Sequence, residues 1–323
     1  MFKKVRQALR LTALIFKFAV WPPIRGCDYK NVHDMKIAIY GSRIKKGNES
    51  WLQDVFETLR LHGAEIYLHG STLDYLLSVS GHVPVHLGVY SDRLPEDTDY
   101  MLVLGGDGTI LRAGDMAYKR NVPIIGINMG HLGFLATISK EKIRSSLEVL
   151  FKGQMEFEDK MLLEVECRNM PARKIAINEV VVSRKDSSSM IAIEAHVDGK
   201  LLGTYHADGL IVSTPTGSTG YSLSCGGPII TPASKSIVLT PVAPHNLNVR
   251  PIIFPDGVKV YLKVRGREDQ YLLSLDSCFQ AMNWDETVSI CKSESTLRIA
   301  KLPGSDFFTT LKEKLGWGTD ERN

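Results

Sequence analysis

A chain of 323 residues is longer than one hydrophobic core usually supports, so its length predicts two domains. Hydrophobic residues make up 44% of it and charged residues 23%, a composition that excludes disordered and membrane-spanning chains. The formal net charge of +3 is too small for a nucleic-acid-binding surface. The five cysteines are scattered without a C-x-x-C pair, so they predict neither a zinc site nor disulfides and favour a reducing cytoplasm.

Residues 1–34 form an N-terminal extension that differs from the rest of the chain. A basic start and an apolar run resemble a secretory signal, but Lys17 interrupts the run and no small-x-small cleavage site follows. The run is also shorter than the about 20 residues that span a bilayer, so we expect no stable membrane insertion. Three interpretations stay open: a mis-called start codon with Met35 as the first residue, a basic extension, or an amphipathic surface helix.

Strands and helices alternate from Met35 onwards. "MKIAIYGS", "HGAEIYLHG", "DYMLVLGG" and "VPIIGIN" are short apolar runs, and helical spacing separates the first from the second and the third from the fourth. Strands that alternate with helices imply a parallel sheet with helices on its faces. The sequence therefore predicts an α/β domain over residues 35–156.

The pattern changes near Phe157. Short β-type runs separated by turns follow, among them a D-G hairpin signal in "VDGK". We expect an all-β domain over residues 157–300. Residues 301–323 contain a short amphipathic segment, "DFFTTLKEKLGWG", which we expect to form a helix that packs back on the first domain.

The segment "GGDGT" marks the junction between a strand and a helix. The strand stops at Gly105 and Gly106, and the helix begins near Thr109, so free backbone N–H groups and the helix dipole create an anion site. A tight turn without a ligand is the alternative. Arg112 either binds a phosphate, which we favour, or is an ordinary solvated helix residue.

Asp107 places a negative charge inside this anion site. One interpretation is an N-cap that accepts a backbone N–H near Ile110. The other is a group that faces the phosphate acceptor, accepts its hydroxyl proton and orients its oxygen. We favour the second, because a cap requires neither the flanking glycines nor Arg112.

Two further segments carry polar groups suited to a ligand. Asn178 and Glu179 interrupt an apolar β run. Because consecutive strand residues face opposite sides of a sheet, at least one of the two side chains should face a binding site or a buried partner. The alternative is an exposed edge strand with solvated polar residues. The segment "STPTGSTGYSLSCGGP" is rich in hydroxyls and glycine, and Tyr221 offers a stacking surface; an irregular surface loop is the alternative. His206 and Asp208 are spaced to face one side, although His206 alone is more often structural.

The three motifs together resemble the NAD kinase family in order and spacing. They are "GGDGT", "NE" and "DGLIVSTPTGSTGYSLSCGGP", and "GINMGHLGFL" is similar as well. The first motif also occurs in related diacylglycerol kinases, sphingosine kinases and 6-phosphofructokinases. The third motif is the one that makes the resemblance specific to the NAD kinase family. It implies ATP-dependent phosphorylation of the adenosine-ribose 2′-hydroxyl of NAD to NADP, with Mg²⁺ or another divalent metal accompanying ATP. It also implies an α/β plus all-β architecture and a homodimer or homotetramer.

The resemblance also implies residue roles. Asp107 would accept the proton, Gly105, Gly106 and Thr109 would receive the donor phosphates, and no protein ligand is assigned to the metal. The residues expected to contact NAD are Asp107, Gly108, Arg112, Asn178, Glu179, His206, Asp208, Thr219, Gly220, Tyr221, Ser222, Leu223, Ser224 and Ala243. Two positions depart from the family: Gly220 replaces the usual alanine, and Ser277 and Cys278 follow Asp276 where an Asp-Gly-Gln-like turn is common.

Two other functions remain open at this point. A lipid kinase of the same superfamily would be expected to have an apolar, lipid-receiving cleft rather than Asn178, Glu179 and a hydroxyl-rich loop. A catalytically silent dinucleotide-binding protein would bind NAD without forming NADP. An assay for NADP separates both from an NAD kinase.

Overall fold

The computed structural model describes residues 35–41, 49–80, 87–130, 132–168, 174–185, 190–267, 270–284 and 286–317. The N-terminal extension, residues 1–34, lies outside these ranges. All described residues belong to one compact unit, Asp34–Asn323, which contains both predicted domains. None of the helices in the described ranges is long and apolar enough to cross a membrane.

The first half is an α/β arrangement, as the sequence predicts. Its five parallel strands lie in the order β3-β2-β1-β4-β5. Their bounds, with those of the intervening helices, are β1 Lys36–Gly41, α1 Glu49–Leu61, β2 Glu65–His69, α2 Gly70–Ser80, β3 Leu87–Tyr90, β4 Tyr100–Leu104, α3 Asp107–Arg120 and β5 Ile124–Asn128. β4 and β5 are almost entirely buried, which is why they read as continuous apolar runs.

Two elements of this half have no counterpart in the prediction. α2 and the four-residue edge strand β3 occupy a region for which the sequence pattern predicts neither a helix nor a strand. β3 is too short to show a period, and its residues are only partly buried apart from Tyr90. The short strand β6 (Ile138–Ser139) and helix α4 (Ile143–Phe151) complete this half, and α4 packs beside α1.

The second half is β-rich and supplies two sheets. Its strands are β7 Glu156–Glu166, β8 Ile175–Ala176, β9 Glu179–Arg184, β10 Ile191–Val197, β11 Lys200–Ala207, β12 Gly209–Ser213, β13 Ser236–Val242, β14 Ile252–Pro255, β15 Val260–Arg265, β16 Gln270–Leu275, β17 Cys278–Asn283 and β18 Thr287–Lys301. Six of them form an antiparallel sheet in the order β14-β13-β12-β9-β16-β17. This confirms the predicted fold class of an α/β part followed by an all-β part.

The remaining strands extend the first sheet to twelve strands, a continuity that the sequence does not predict. β18 lies parallel to β5 through Ile299 and Ile124, and it pairs antiparallel with β7 and β15. Apolar residues from the extended sheet, such as Leu262, pack against residues of the six-stranded sheet, such as Val182, in one buried cluster. The β-rich half therefore has its own core between two sheets.

A short C-terminal helix, α5 (Phe307–Leu315), follows β18. Asp306 caps its N-terminus by accepting the Thr309 N–H at 2.9 Å, and Gly316 ends it in the left-handed conformation. Leu311 is buried, and the ring of Phe307 lies 6.0 Å from the ring of Phe134. The helix thus contacts the segment that follows β5.

Candidate active site

The junction between β4 and α3 has the geometry of an anion site. A Cβ on Gly105 would collide with the Thr109 side chain, whereas a Cβ on Gly106 would meet open space. Gly106 is the N-cap, and its carbonyl accepts the N–H groups of Thr109 at 2.8 Å and Ile110 at 3.3 Å. The first N–H groups of a helix have no intrahelical acceptor, so those that open α3 are available to an anion.

The capping interpretation of Asp107 is wrong. Asp107 is the first residue of α3 rather than its N-cap, and no side chain caps this helix. Its carboxylate instead binds the turn after β5: Oδ1 accepts the N–H groups of Leu135 and Ala136, both at 3.0 Å, and Oδ2 accepts that of Phe134 at 2.9 Å. A Cβ on Gly133 would collide with this carboxylate, which explains the glycine there.

One position on the Asp107 carboxylate stays open. An ionised carboxylate has about four lone-pair sites, two on each oxygen. The three backbone N–H groups use both sites on Oδ1 and one on Oδ2. The remaining site on Oδ2 is therefore the place where this carboxylate can accept a ligand hydroxyl.

Arg112 lies next to the same junction. Its guanidinium donates to the Thr109 hydroxyl at 3.3 Å, and a Cβ on Gly108 would lie 3.8 Å from its Nη1. The side chain, although exposed, thus reaches back toward the start of α3. A planar guanidinium at that position adds a cation to the N–H groups of the helix terminus.

Asn178 and Glu179 stand where β9 begins, and the turn between β16 and β17 holds their backbone. Asp276 in that turn has a positive φ of 51°. Its Oδ2 accepts the Ile177 N–H at 3.0 Å, and its Oδ1 accepts those of Asn178 at 2.8 Å and Glu179 at 3.2 Å. The departure from the Asp-Gly-Gln-like turn therefore keeps the residue that makes these three bonds.

The side chains of Asn178 and Glu179 each bury an acceptor that lacks a partner. Among the described residues, no hydrogen bond reaches Asn178 Oδ1 or Glu179 Oε2. Burial, together with the charge of the nearby Asp276, raises the pKa of Glu179 from 4.5 to about 8, and the Tyr221 N–H acts in the opposite direction. Buried polar groups normally have partners, so two unmatched side-chain oxygens on consecutive residues indicate a ligand with hydrogen-bonding groups.

The hydroxyl-rich segment forms a 3₁₀ turn, Thr216–Thr219, and a one-turn helix, Tyr221–Ser224. Its hydroxyls largely support its own fold. Ser222 is fully buried and its Oγ lies 2.9 Å from that of Thr240, while the Thr219 hydroxyl donates to the Thr216 carbonyl at 3.1 Å. The Tyr221 side chain, in contrast, is exposed and available for stacking.

Gly220 lies directly against the pair at the start of β9. A Cβ at this position would be 2.9 Å from Glu179 Oε2 and 3.3 Å from Asn178 Nδ2. The glycine therefore leaves room beside Glu179 Oε2 and the side-chain amide nitrogen of Asn178.

Asp208 and Glu179 both lie close enough to Tyr221 for their charges to affect it. Burial, the Cys225 thiol and these two carboxylates raise the pKa of the Tyr221 phenol. Asp208 also pairs with Arg184, with Oδ1 3.0 Å from Nε. The ion pair places Asp208 at the end of β9, and the Tyr221 phenol is close enough to feel the charges of both Asp208 and Glu179 at the start of that strand.

The other predicted contact residues have weaker links to this group. Neither a hydrogen bond nor an ion pair joins the exposed His206 side chain to the described site residues; its carbonyl accepts the His245 N–H at 2.8 Å. Ala243 has a positive φ of 43° and follows β13. Leu223 is partly buried and Ser224 exposed in the one-turn helix. The expected ligand contacts of these residues stay predictions.

Helix α3 connects the two groups of site residues. Gly114 of α3 packs against Ile177, where a Cβ would collide with the isoleucine side chain. Ile110 belongs to the same buried cluster as Ile177. Because Ile177 immediately precedes Asn178, the middle of the helix that begins at Asp107 lies against the residue just before the pair at the start of β9.

Comparisons with known proteins match both halves of the chain to one family. Residues 77–155 match the model for the ATP-NAD kinase N-terminal domain, and residues 177–302 match that for the ATP-NAD kinase C-terminal domain. An NAD kinase of Flavobacterium johnsoniae is 42% identical over 294 residues, which cover 90% of this chain and 100% of that protein. An NAD kinase of Bacteroides fragilis is 38% identical over 294 residues, with 89% and 100% covered.

Solved structures show the same fold. The NAD kinase of Archaeoglobus fulgidus in complex with ATP has a TM-score of 0.67 and 26% identity, covering 86% of this chain and 99% of that one. Yeast NADH kinase complexed with NADH has a TM-score of 0.79 and 22% identity, with 89% of both chains covered. Together with the curated relatives, these findings show that the chain belongs to the NAD kinase family, the enzymes that phosphorylate NAD to NADP with ATP as the donor.

Proposed function

We propose that this enzyme directs the adenosine-ribose 2′-hydroxyl of NAD to Oδ2 of Asp107. The observation that carries the proposal is the single open lone-pair site on a carboxylate otherwise bound by three backbone N–H groups. These bonds fix the orientation of the carboxylate before substrate binds. A hydroxyl that donates to this site would have its oxygen aligned toward the transferred phosphoryl group.

Orientation matters here more than basicity. Three backbone N–H bonds hold the carboxylate in one direction, so its remaining lone pair meets the hydroxyl without rearrangement. The transition state of phosphoryl transfer is largely dissociative, so the acceptor hydroxyl need not lose its proton early. Asp107 would therefore hold the hydroxyl in line and take its proton late.

The start of α3 is suited to the donor phosphates. Gly106 leaves space in front of the first N–H groups of the helix, and Arg112 brings a guanidinium beside Gly108. Backbone N–H groups and a bidentate cation are the usual partners of phosphate oxygens. We assign Gly105, Gly106 and Thr109 to this part of the site, and Gly108 and Arg112, which the resemblance gives as NAD contacts, lie beside it.

A divalent metal would accompany ATP. The described residues contain no group of three His, Cys, Asp or Glu side chains that could hold a metal ion. Mg²⁺ in nucleotide-binding sites usually keeps several water ligands and takes others from the substrate phosphates, with few ligands from the protein. The described residues therefore fit a metal that enters with the nucleotide. When bound, the ion would neutralise charge on the phosphates; the chain's own part is to supply the N–H groups and Arg112.

The second group of residues would hold NAD. The unmatched acceptors Asn178 Oδ1 and Glu179 Oε2 suit the hydroxyls of a ribose, and the exposed Tyr221 ring suits the face of a base. Asp208 lies close enough to Tyr221 to influence it and would line the same pocket. Roles for Thr219, Gly220, Leu223, Ser224, His206 and Ala243 in contacting NAD are part of this proposal, whereas the buried Ser222 hydroxyl, 2.9 Å from that of Thr240, would support the loop.

Family membership excludes the lipid-kinase alternative. An assay for NADP distinguishes an active kinase from a protein that binds NAD without catalysis. Purified protein is incubated with Mg-ATP and NAD, and NADP is measured with an NADP-specific dehydrogenase. We expect Asp107→Asn to lower turnover by about 100-fold or more. Asp97→Asn, at an exposed position, is the control and should match the wild type.

The result is read together with binding and stability. NAD binding without NADP formation by the wild-type protein would contradict the activity itself. Turnover of Asp107→Asn within about threefold of wild type would remove Asp107 from the reaction. Thermal unfolding of each variant shows whether lost turnover reflects lost structure. The cytoplasmic location and the homodimer or homotetramer remain predictions alongside this proposal.

A further inference from the structure

We infer that Lys314 of the C-terminal helix is a positioning residue for the phosphoryl transfer, acting through Asp107. The inference rests on the proposed role of Asp107. Lys314 lies beyond both segments that match the family models, which end at residues 155 and 302. It also lies beyond the three motifs, so no feature of the sequence pattern points to it.

The helix that carries Lys314 is fixed at three places. Asp306 caps its start, accepting the N–H of Thr309 at 2.9 Å and its hydroxyl at 2.6 Å. Leu311 is 4% exposed in its middle, and Phe307 packs near Phe134. A helix held at its cap, its apolar face and its first aromatic residue presents Lys314 in a defined direction.

Lys314 lies beside the open position on Asp107. Its Nζ is 3.7 Å from Asp107 Oδ2 and 4.8 Å from the centroid of the Phe134 ring, and its side chain is 30% exposed. The N–H of Phe134 donates to the same Oδ2. The Lys314 ammonium, the Phe134 ring and N–H, and the Asp107 carboxylate therefore lie together, and they connect the C-terminal helix to the start of α3.

The separation suits a positioning role. At 3.7 Å the ammonium attracts the carboxylate without making a hydrogen bond to Oδ2, so the open lone-pair site stays accessible to a hydroxyl. The positive charge also offsets the repulsion that an aspartate would exert on incoming phosphates. Lys314 would thus hold the Asp107 carboxylate correctly oriented while ATP is bound nearby.

A purely structural role is the alternative. The ammonium over the Phe134 ring is a cation–π contact that by itself could anchor the helix. Lys314→Met separates the two roles, because methionine keeps an unbranched apolar side chain against the ring and removes the charge. Lys312→Met, at an exposed position on the same helix, is the matched control.

The experiment measures kcat, KM for NAD and the melting temperature of Lys314→Met, Lys314→Arg and Lys312→Met, each alone and in the Asp107→Asn background. We expect Lys314→Met to lower kcat about tenfold with KM within about twofold, and Lys314→Arg to recover most of the loss. In the Asp107→Asn background, Lys314→Met should have no further effect on kcat.

Two outcomes would overturn the inference. One is a kcat for Lys314→Met that equals that of Lys312→Met, whatever the change in melting temperature. The other is an undiminished effect of Lys314→Met when Asp107 is already asparagine. Asp107→Asn measured alone tests the proposed role of Asp107 separately, so the two failures are distinguishable.

Discussion

Replacing Glu179 by glutamine tests whether its carboxyl is held neutral in the folded protein. Glu179 is 8% exposed at the start of β9, and its Oε2 has no hydrogen-bond partner among the described residues. Burial, reinforced by the charge of Asp276, raises its pKa from 4.5 to about 8. Glutamine has nearly the same shape and does not titrate, so the variant isolates the charge.

The direction of the effect follows from proton linkage. The unfolded chain releases the Glu179 proton near pH 4.5, whereas the folded chain keeps it until about pH 8. The free energy of unfolding therefore falls as the pH rises through this window. At about 1.36 kcal/mol per pH unit, the full window corresponds to at most roughly 5 kcal/mol.

The measurement is the melting temperature of wild type and Glu179→Gln at pH 5 and pH 8, without substrate. We expect the difference between the two proteins to grow in favour of glutamine by at least about 5 °C from the lower to the higher pH. Glu96→Gln, at an exposed position, is the control for removing a carboxylate. Equal pH dependence in wild type and Glu179→Gln would refute the reasoning.

Two further substitutions separate backbone support from ligand contact. Asp276→Asn places an amide N–H₂ group against a backbone N–H of Ile177 or Asn178, which costs about 1–3 kcal/mol of stability. We therefore expect a lower melting temperature and a KM for NAD that is raised about tenfold. An unchanged KM for NAD would contradict the role of this turn. Ser222→Ala removes the bond to Thr240 inside the loop, so we expect a lower melting temperature with KM for NAD within about twofold. A raised KM without a change in melting temperature would instead support the NAD contact that the resemblance implies.

The fold was predictable where a single stretch of chain carries the information. The strands β1, β4 and β5 are buried on both faces, so their residues are apolar throughout and the pattern is clear. The continuation of the sheet through β18 was not predictable, because its pairing with β5 joins residues such as Ile124 and Ile299 that lie far apart in the chain. No local period encodes that contact.

The site was predictable as a set of motifs but not as a set of contacts. Asp107 and Glu179 stand out because a charge interrupts a glycine turn or an apolar strand. Lys314 gives no such signal, because a lysine in a helix is common. Asp276 is known from the sequence only as part of a turn that departs from the family, and the three-dimensional structure shows what it binds. Ser222 is the opposite case, because its segment looks like a ligand-binding loop but its hydroxyl bonds to Thr240 and stabilises the loop.

The three N–H bonds of Asp107 also bear on how other sequences with this motif are interpreted. The carboxylate joins the start of α3 to the turn at Phe134–Ala136, so it acts as a cross-link between two loops as well as a partner for substrate. A relative that had lost phosphoryl transfer would still need this aspartate to keep the two loops together. Retention of the GGDGT aspartate in a relative therefore indicates that the fold is kept, which is not enough to indicate activity. The residues around the open lone pair on its Oδ2 are a better indicator of phosphoryl transfer.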